Sequence, residues 1–428
     1  MTVSQSPVWH PFTQHGLHEA IPQVERAEGA LLHCTSGTTL IDGISSWWVI
    51  THGHCDPRIV DAMQAQAAKL DQVIFAGYTH EPAEQVARGL IRLTDTTLPS
   101  SDPLAHVFFS DSGSTAVEVG LKMALGYWHN IGAARYKIIV MEYSYHGDTI
   151  GAMSVGARGV FNRAYAPLLF DVETIPFPEA RGQNTLDALE ALCRAPDKPA
   201  ALIVEPLILG AGGMLVYGAD ILREIAEICR AHDVLFIADE VMTGWGRTGT
   251  LFACEQAGIT PDILCTAKGL TGGSIPLAAT LATARIFAAH CSDDRAAMFF
   301  HSSSFTANPI ACAAAAANIA IWQGEDVRGR IAALSAHMGE RIARLAAHTA
   351  LENPRILGAI AAIDLKVGSS PGYLSEVAPT LRAFFLARGL LLRPLGNSIY
   401  VMPPYCTTPG QIDAIFNAIS EAADQFGG

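Results

Sequence analysis

The sequence predicts an α/β protein whose large domain is built on a mostly parallel central sheet, with a smaller α+β domain beside it. Short β-branched apolar runs alternate with helical stretches through the middle of the chain, and this alternation is typical of parallel strands joined by right-handed crossovers. The predicted strands lie in HVFFSDS, KIIVMEYSYHG, ALIVEPLI, VLFIADEV and DILCTAKG, with helices such as AVEVGLKMALGYW between them. Sheets of this kind bind their ligands beyond the carboxyl ends of the strands.

The two ends of the chain predict the smaller domain. Near the N-terminus, LLHCTSGTTLIDGISSWWV has the pattern of antiparallel strands with glycine turns. After Asn308-Pro309, helical stretches precede two predicted strands, GAIAAIDLKV and NSIYVMPP. We therefore assign residues 1–56 and 310–428 to the small domain and 57–309 to the large domain.

Composition excludes several classes of partner. The net charge is −13 and no basic run occurs, which argues against nucleic acid because phosphate binding requires clustered Lys and Arg. The most apolar stretches, NPIACAAAAANIAIW and SIPLAATLATARIF, are interrupted by Pro, Asn or Arg, so we expect buried core helices and no membrane span. The start lacks a secretory signal pattern, and nine scattered cysteines without a CxxC pair favour a reducing, cytoplasmic location.

Asp239 and Lys268 are the most informative pair of residues. Each follows a predicted strand, in VLFIADEV and DILCTAKG, so the fold places both at one edge of the sheet. A Lys ε-amine can hold pyridoxal phosphate covalently, and an Asp carboxylate can pair with the protonated ring nitrogen of that cofactor. The alternative for either residue alone is a structural carboxylate or a surface amine.

Two further strand ends carry candidate cofactor contacts. DSGSTAVEVGLKMAL places Gly113 and Ser114 at a predicted helix start, where free N–H groups and the helix dipole suit a phosphate. These residues could equally be a simple helix cap. Tyr145, in YSYHGDT, could stack on a planar cofactor ring or pack in the core.

Two motifs are set aside. Gly244 to Gly249, GWGRTG, matches a dinucleotide fingerprint in form, but the preceding Asp239-Glu240 would repel a pyrophosphate, so we interpret it as a tight loop near the site. The residues of THGHCDP lack the spacing of a zinc site, so we expect no metal.

Arg393 and the paired tryptophans Trp47 and Trp48 are candidates for substrate contacts. The planar guanidinium of Arg393, in RPLGNSIYVMPPY, can hold a carboxylate through two hydrogen bonds. It could also be a surface residue whose stem covers apolar side chains. The tryptophans predict either core packing or an apolar wall for a long substrate.

Together these motifs resemble the class III aminotransferases, which have the fold type I of pyridoxal phosphate enzymes. The resemblance runs nearly end to end and is carried, in family order, by DSGSTAVE, YHGDT, IVEPLILGAGG, IADEVMTGWGRTG, AKGLTGG and SSSFTANPIACAAA. It implies that Lys268 holds the cofactor and moves the proton, and that Asp239 and Tyr145 contact the ring. It further implies that Gly113 and Ser114 bind the phosphate, together with Ser303 and Ser304 from the partner subunit of a homodimer.

Within the family, WHPFTQ, DGISSWWV, FACEQAGITPDILC and RPLGNSIYVMPPY are most similar to members that act in biotin biosynthesis. This implies ping-pong transfer of the amino group of S-adenosylmethionine to 8-amino-7-oxononanoate, giving 7,8-diaminononanoate. The implied substrate contacts are Phe12, Trp48, Tyr145, Lys268, Ser302, Arg393 and Tyr400.

Two departures from the family pattern keep the amino donor open. Phe12 stands where Tyr is usual, and Ser304 stands where Thr is usual. One alternative is therefore lysine as the donor, and another is an ω-aminotransferase that uses pyruvate. A transcription factor with an aminotransferase-like domain is disfavoured, because only a short, non-basic segment precedes the predicted fold.

Overall fold

The structure is a computed structural model that describes residues 2–98, 100–367 and 375–427. In chain order, the strands are β1 (Val24–Glu28), β2 (Leu31–Cys34), β3 (Thr39–Asp42), β4 (Leu104–Ser110), β5 (Ile138–Met141), β6 (Glu173–Ile175), β7 (Ala201–Val204), β8 (Ile208–Leu209), β9 (Leu215–Val216), β10 (Leu235–Asp239), β11 (Ile263–Thr266), β12 (Ala278–Thr283), β13 (Leu351–Leu357), β14 (Ile360–Leu365), β15 (Leu390–Leu391) and β16 (Ser398–Val401).

The helices are α1 (Ser45–Trp48), α2 (Pro57–Ala67), α3 (Glu81–Thr97), α4 (Gly113–Asn130), α5 (Ile150–Ser154), α6 (Gln183–Arg194), α7 (Ala219–Ala231), α8 (Cys254–Ala257), α9 (Ala284–Ala289), α10 (Pro309–Gly324), α11 (Val327–Leu345), α12 (Val377–Ala387) and α13 (Pro409–Phe426). Short 3₁₀ turns cover Val3–Gln5, His15–Leu17, Arg163–Leu168, Lys268–Thr271 and Arg295–Ala297.

A seven-stranded sheet with the order β4-β12-β11-β10-β7-β5-β6 forms the centre of the molecule. The neighbouring strands β11, β10, β7, β5 and β6 run parallel, and β12 is antiparallel to both of its neighbours. Every residue of β5, β7, β10 and β11 is buried, as expected for strands covered by helices on both faces. The predicted mostly parallel sheet is confirmed, and all five strands predicted for the large domain are present in it.

One predicted helix is wrong over its first half. SIPLAATLATARIF forms strand β12 before its last residues enter α9. The small side chains of β12 allow α4 to lie close against the sheet, and the Thr280 hydroxyl donates to the Ala116 carbonyl at 2.8 Å. A short apolar run does not by itself distinguish a buried strand from a buried helix. The other apolar stretch forms α10, as predicted.

Two smaller sheets bring the ends of the chain together. β1, β2, β3 and β15 form one sheet, and β13, β14 and β16 form another. The C-terminal β15 pairs in parallel with the N-terminal β3, and the Met402 N–H donates to the Gly43 carbonyl at 2.8 Å. As a result, the turn after β3 lies against the segment that carries Arg393 and Tyr400. None of the helices in the described parts of the chain combines the length and apolarity needed to cross a membrane.

Candidate active site

The carboxyl ends of neighbouring strands of the central sheet surround a cavity of about 170 Å³. Ala238 of β10 pairs with Val204 of β7, which places Glu205 beside Asp239. Asp239 pairs with Cys265 of β11, and Lys268 follows three residues later. The lining residues are Trp48, Gly113, Ser114, Tyr145, His146, Gly147, Glu205, Asp239, Val241, Met242 and Lys268.

Asp239 is almost completely buried, and its carboxylate is held in a fixed orientation. The His146 Nδ1–H donates to Asp239 Oδ2 at 2.7 Å, and the Val241 N–H donates to Oδ1 at 3.1 Å. The side chain of His146 is itself buried. A buried carboxylate oriented in this way is suited to stabilising a cationic ring nitrogen inside the cavity.

Lys268 begins the 3₁₀ turn Lys268–Thr271, and its Nζ lies 5.1 Å from the centroid of the Trp48 ring. Burial lowers the pKa of the amine, while the carboxylates of Asp239 and Glu205 raise it, and burial has the larger effect. Asn318 of α10 donates to the carbonyls of Gly269 and Leu270, at 3.0 and 2.9 Å, and so fixes the turn. The amine is therefore positioned from a rigid element and biased toward the neutral form that a base or nucleophile requires.

The first turn of α4 also lines the cavity. The Ser112 hydroxyl accepts from the Thr115 N–H at 3.3 Å, and Gly113 and Ser114 follow as the first helical residues. Gly147 approaches so closely that a Cβ there would lie 2.1 Å from Ser114 Oγ, and its φ of +136° also favours glycine. This helix N-terminus beside a glycine loop is suited to binding a phosphate.

Glu205 and His146 were not assigned roles from the sequence, and the structure places both at the cavity. Glu205 accepts hydrogen bonds from the N–H groups of Tyr145 and Gly210, both at 3.0 Å. Burial raises the pKa of Glu205 to about 7, although the nearby His146 lowers it. The sequence indicates only that His146 and Glu205 come after predicted strands. It does not show that their side chains are buried.

A second cavity, of about 290 Å³, adjoins the first and shares Trp48, Tyr145 and Lys268 with it. Its other lining residues are Pro11, Phe12, Trp47, Asp148, Phe161, Ala211, Arg393, Pro394, Leu395 and Tyr400. Most of this wall is apolar or aromatic. The cavity therefore forms a path for a largely apolar molecule toward the Lys268 amine.

Arg393 lies in the wall of this second cavity. Its Nη2 donates to the Phe12 carbonyl at 2.8 Å, and its Cζ lies 5.1 Å from the centroid of the Trp47 ring. Across the described residues 2–98, 100–367 and 375–427, no Asp or Glu forms an ion pair with this guanidinium. Its remaining donors are available to a carboxylate in the cavity.

The other predicted substrate residues surround the same space. The Trp48 indole N–H donates to the Tyr400 hydroxyl at 3.0 Å. Burial raises the pKa of the Tyr145 hydroxyl well above its ordinary value, and the charge of Asp148 raises it further. This side chain therefore stays neutral. The ring of Phe12 lies 5.5 Å from that of Trp47 and 6.1 Å from that of Phe161.

Ser302, Ser303 and Ser304 do not line either cavity of this chain. Ser302 and Ser304 are exposed, and the Ser303 hydroxyl donates to the carboxylate of Asp111. Gln72 fixes the loop by donating to the Ser304 carbonyl at 2.6 Å. Their predicted contacts with cofactor and substrate remain predictions, which require a second subunit.

The two motifs set aside from the sequence have structural roles. Arg247 of GWGRTG is buried and donates to the carbonyls of Pro403, Trp48 and Ile50, so this loop fixes the segment next to the cavity. In THGHCDP, His52 contacts Asn318 at 2.8 Å. Within the described part of the chain, no group of His, Cys, Asp and Glu could hold a metal ion.

Comparison with known proteins identifies the family. The model of the family "Aminotransferase class-III" matches residues 12–423. The chain belongs to the class-III aminotransferases. Among curated relatives, it is 46% identical to the adenosylmethionine-8-amino-7-oxononanoate aminotransferase of Synechococcus elongatus, with 99% of each chain covered. It is 38% identical to the protein of the same name from Anoxybacillus flavithermus, with 98% of this chain and 95% of that one covered.

Solved structures agree with this assignment. The adenosylmethionine-8-amino-7-oxononanoate aminotransferase of Methanocaldococcus jannaschii superposes with a TM-score of 0.93 at 31% identity, covering 98% of this chain and 97% of that one. An amine transaminase from an uncultivated Pseudomonas species, solved with pyridoxal phosphate bound, gives a TM-score of 0.90 at 31% identity, covering 99% of each chain.

The residues of this class-III aminotransferase fit pyridoxal phosphate. The helix N-terminus at Gly113 and the narrow approach of Gly147 suit the phosphate, and the buried Asp239 suits the ring nitrogen. Lys268 supplies an amine whose pKa is lowered by burial. These three features lie around one cavity, so a single cofactor can meet all of them.

Proposed function

We propose that the protein transfers the amino group of S-adenosylmethionine to 8-amino-7-oxononanoate, with pyridoxal 5'-phosphate as cofactor, and produces 7,8-diaminononanoate for biotin biosynthesis. The observation that carries this proposal is the cavity that joins Arg393 to Lys268 along an aromatic wall. The acceptor has a carboxylate at one end, an apolar chain and a reacting carbonyl, and these match Arg393, the aromatic wall and Lys268 in that order. The names of the two sequence relatives support the same substrates.

Each residue has a defined task in this reaction. The cofactor, when bound, supplies the carbonyl that takes up the amino group and the ring that stabilises negative charge at the adjacent carbon. Lys268 Nζ takes the proton from the α-carbon of the donor and delivers it to the carbon that was the carbonyl carbon of the cofactor. Asp239 keeps the ring nitrogen protonated, and His146 keeps the Asp239 carboxylate oriented.

Substrate binding in both half-reactions uses the same space. Arg393 binds the carboxylate of the donor and then that of the acceptor, so the two molecules occupy the site in turn. Trp48, Tyr145 and Tyr400 enclose the reacting end and limit the access of water. Ping-pong kinetics follow from this shared site.

The donor is the part of the proposal for which the chain offers an alternative. Phe12 presents a ring without a hydroxyl at the cavity entrance, so it can contact a donor through its face but cannot donate a hydrogen bond. S-adenosylmethionine remains the proposed donor because the relatives carry it in their names. Lysine, or an amine with pyruvate as acceptor, is the alternative to be tested.

We also propose a cytoplasmic homodimer. The hydroxyls of Ser302 and Ser304 are exposed on a loop near the start of α4, a position suited to completing the phosphate and substrate sites of a partner subunit. Phe300 and Phe305 on the same loop are 64% and 61% exposed, which favours burial against another chain.

All nine cysteines are unpaired thiols, which supports a reducing compartment. The domain boundaries at residues 56 and 309 remain part of this proposal.

The proposal is tested by incubating the purified protein, loaded with pyridoxal phosphate, with 8-amino-7-oxononanoate and each donor separately. Mass spectrometry should detect 7,8-diaminononanoate with S-adenosylmethionine. Product formed only with lysine would change the donor but keep the acceptor. No product with any donor, together with turnover of an amine and pyruvate, would replace the proposal with the general ω-aminotransferase.

A further inference from the structure

The turn α1 (Ser45–Trp48) has an unusual backbone. Its four residues have φ angles of +52°, +48°, +87° and +71°, and none of them is glycine. Each such residue is destabilised, because its Cβ lies too close to the following carbonyl. A run of four left-handed residues persists only where the surrounding structure holds it in place.

Asp42 makes most of the hydrogen bonds that hold the centre of this turn, whose ends are held by the Met402 carbonyl and by Arg247. Its buried Oδ1 accepts hydrogen bonds from the N–H groups of Ile44 at 3.2 Å and Ser46 at 2.9 Å. Its Oδ2 accepts from the Ser46 hydroxyl and from His54 Nε2, both at 2.8 Å. One carboxylate therefore fixes both the backbone and a side chain of the left-handed turn.

The same turn carries both tryptophans of the substrate cavity. The ring of Trp47 lies 5.1 Å from Cζ of Arg393, and the ring of Trp48 lies 5.1 Å from Nζ of Lys268. A right-handed turn at this point would direct the two indoles elsewhere, since side-chain direction follows from the backbone angles. Asp42 itself lines neither the cofactor cavity nor the substrate cavity.

We infer that Asp42 is a positioning residue for the substrate cavity, which acts through the left-handed turn to set Trp47 beside Arg393 and Trp48 beside Lys268. This inference rests on the proposed function only for the choice of acceptor. The turn should affect the binding of the acceptor's apolar chain and carboxylate, because the proposed function places these parts against the two indoles and the guanidinium. The residues that suit the phosphate and the ring nitrogen of the cofactor, Gly113, Gly147 and Asp239, lie outside this turn, so cofactor binding should change little.

The first test compares steady-state kinetics of the wild-type holoenzyme with Asp42→Asn and Ser46→Ala. Asn keeps one oxygen that accepts from the two N–H groups, but its NH2 group cannot accept from the Ser46 hydroxyl or from His54. We expect Asp42→Asn to raise KM for 8-amino-7-oxononanoate about tenfold while kcat changes less than about threefold, as for lost binding that is equal in ground and transition states. Ser46→Ala, which removes one hydroxyl, should raise KM less. The visible absorbance of the bound cofactor should be unchanged in both.

A double variant tests whether Asp42 acts through the turn. Glycine adopts left-handed angles without steric cost, so Asp42→Asn/Ser46→Gly should recover much of the Tm that Asp42→Asn loses. KM should fall back toward the wild-type value as well, because the left-handed turn is restored. Recovery of Tm with KM as high as in Asp42→Asn would overturn the inference. Asp262→Asn is the matched control, since this carboxylate binds Phe236 and Arg285 away from both cavities, and it should lower Tm with unchanged KM.

Failure of the inference and failure of the proposed function give different results. If the wild-type protein does not use 8-amino-7-oxononanoate, the proposed function fails, and the KM comparison is made with pyruvate, whose carboxylate also requires Arg393. If wild type and Asp42→Asn have the same KM for the acceptor that is used, the inference is wrong. A crystal structure of Asp42→Asn with both indoles unmoved would also contradict it.

Discussion

Arg393→Ala tests the assignment of the carboxylate end of the substrate cavity. The guanidinium is partly buried, donates to the Phe12 carbonyl at 2.8 Å and stacks over Trp47. Removing one partner of a buried, hydrogen-bonded charge pair costs about 2–5 kcal/mol. Because Arg393 is only partly buried, we expect the lower part of this range, about 2–3 kcal/mol, which corresponds to a loss of about 30- to 150-fold in kcat/KM.

The assay measures kcat/KM for 8-amino-7-oxononanoate and for its methyl ester. Without a carboxylate, the ester should bind wild type poorly and lose little more in Arg393→Ala, so that the two changes are strongly non-additive. Arg393→Lys should be intermediate, because it keeps the charge but not the planar pair of donors. Arg388→Ala is the control, since Arg388 pairs with Glu421 outside the cavities. Equal losses for acid and ester in Arg393→Ala would refute the reasoning.

Three further predictions concern the cofactor cavity. Lys268→Ala should lower kcat by about 10⁴-fold or more while the protein still binds pyridoxal phosphate noncovalently, as followed by absorbance and by mass after denaturation; near-normal turnover would contradict the scheme. Gly147→Ala should weaken cofactor binding at least about tenfold in equilibrium dialysis, because its Cβ would meet Ser114 Oγ at 2.1 Å, whereas Gly410→Ala, in open space, should not. The pKa of Glu205 is raised from 4.5 to about 7, so its charged form is disfavoured in the folded protein and the free energy of unfolding should fall by about 3 kcal/mol as pH rises between these values. Urea titrations of Glu205→Gln should show a smaller fall over that pH range, and an identical pH dependence would show that Glu205 is not the titrating group.

The five buried strands and the position of the cofactor site could be predicted from the sequence because both depend on local patterns. Continuous apolar runs marked the buried strands, and the polar residue after each run marked the edge where ligands bind. Asp239 and Lys268 were found in this way, and β10 and β11 bring them to one cavity. β12 was missed because three of its six residues are alanine, which favours helices, and only its two threonines are β-branched.

The rest of the site depends on contacts between distant parts of the chain. The left-handed turn that carries Trp47 and Trp48 is stabilised by Asp42 and His54, and local propensity favours a right-handed backbone there. The raised pKa of Glu205 requires burial by several elements. The predicted roles of the serines on the 302–304 loop depend on contacts with a second subunit.

The central claim is that the site accepts an amino group from S-adenosylmethionine before any acceptor binds. Single-turnover absorbance of the yellow holoenzyme, mixed with this donor alone, tests it most directly. We predict complete conversion of the cofactor to its amino form within one turnover, and restoration of the original spectrum when 8-amino-7-oxononanoate is added. An unchanged spectrum with S-adenosylmethionine, and conversion by lysine or a simple amine instead, would contradict the proposed donor.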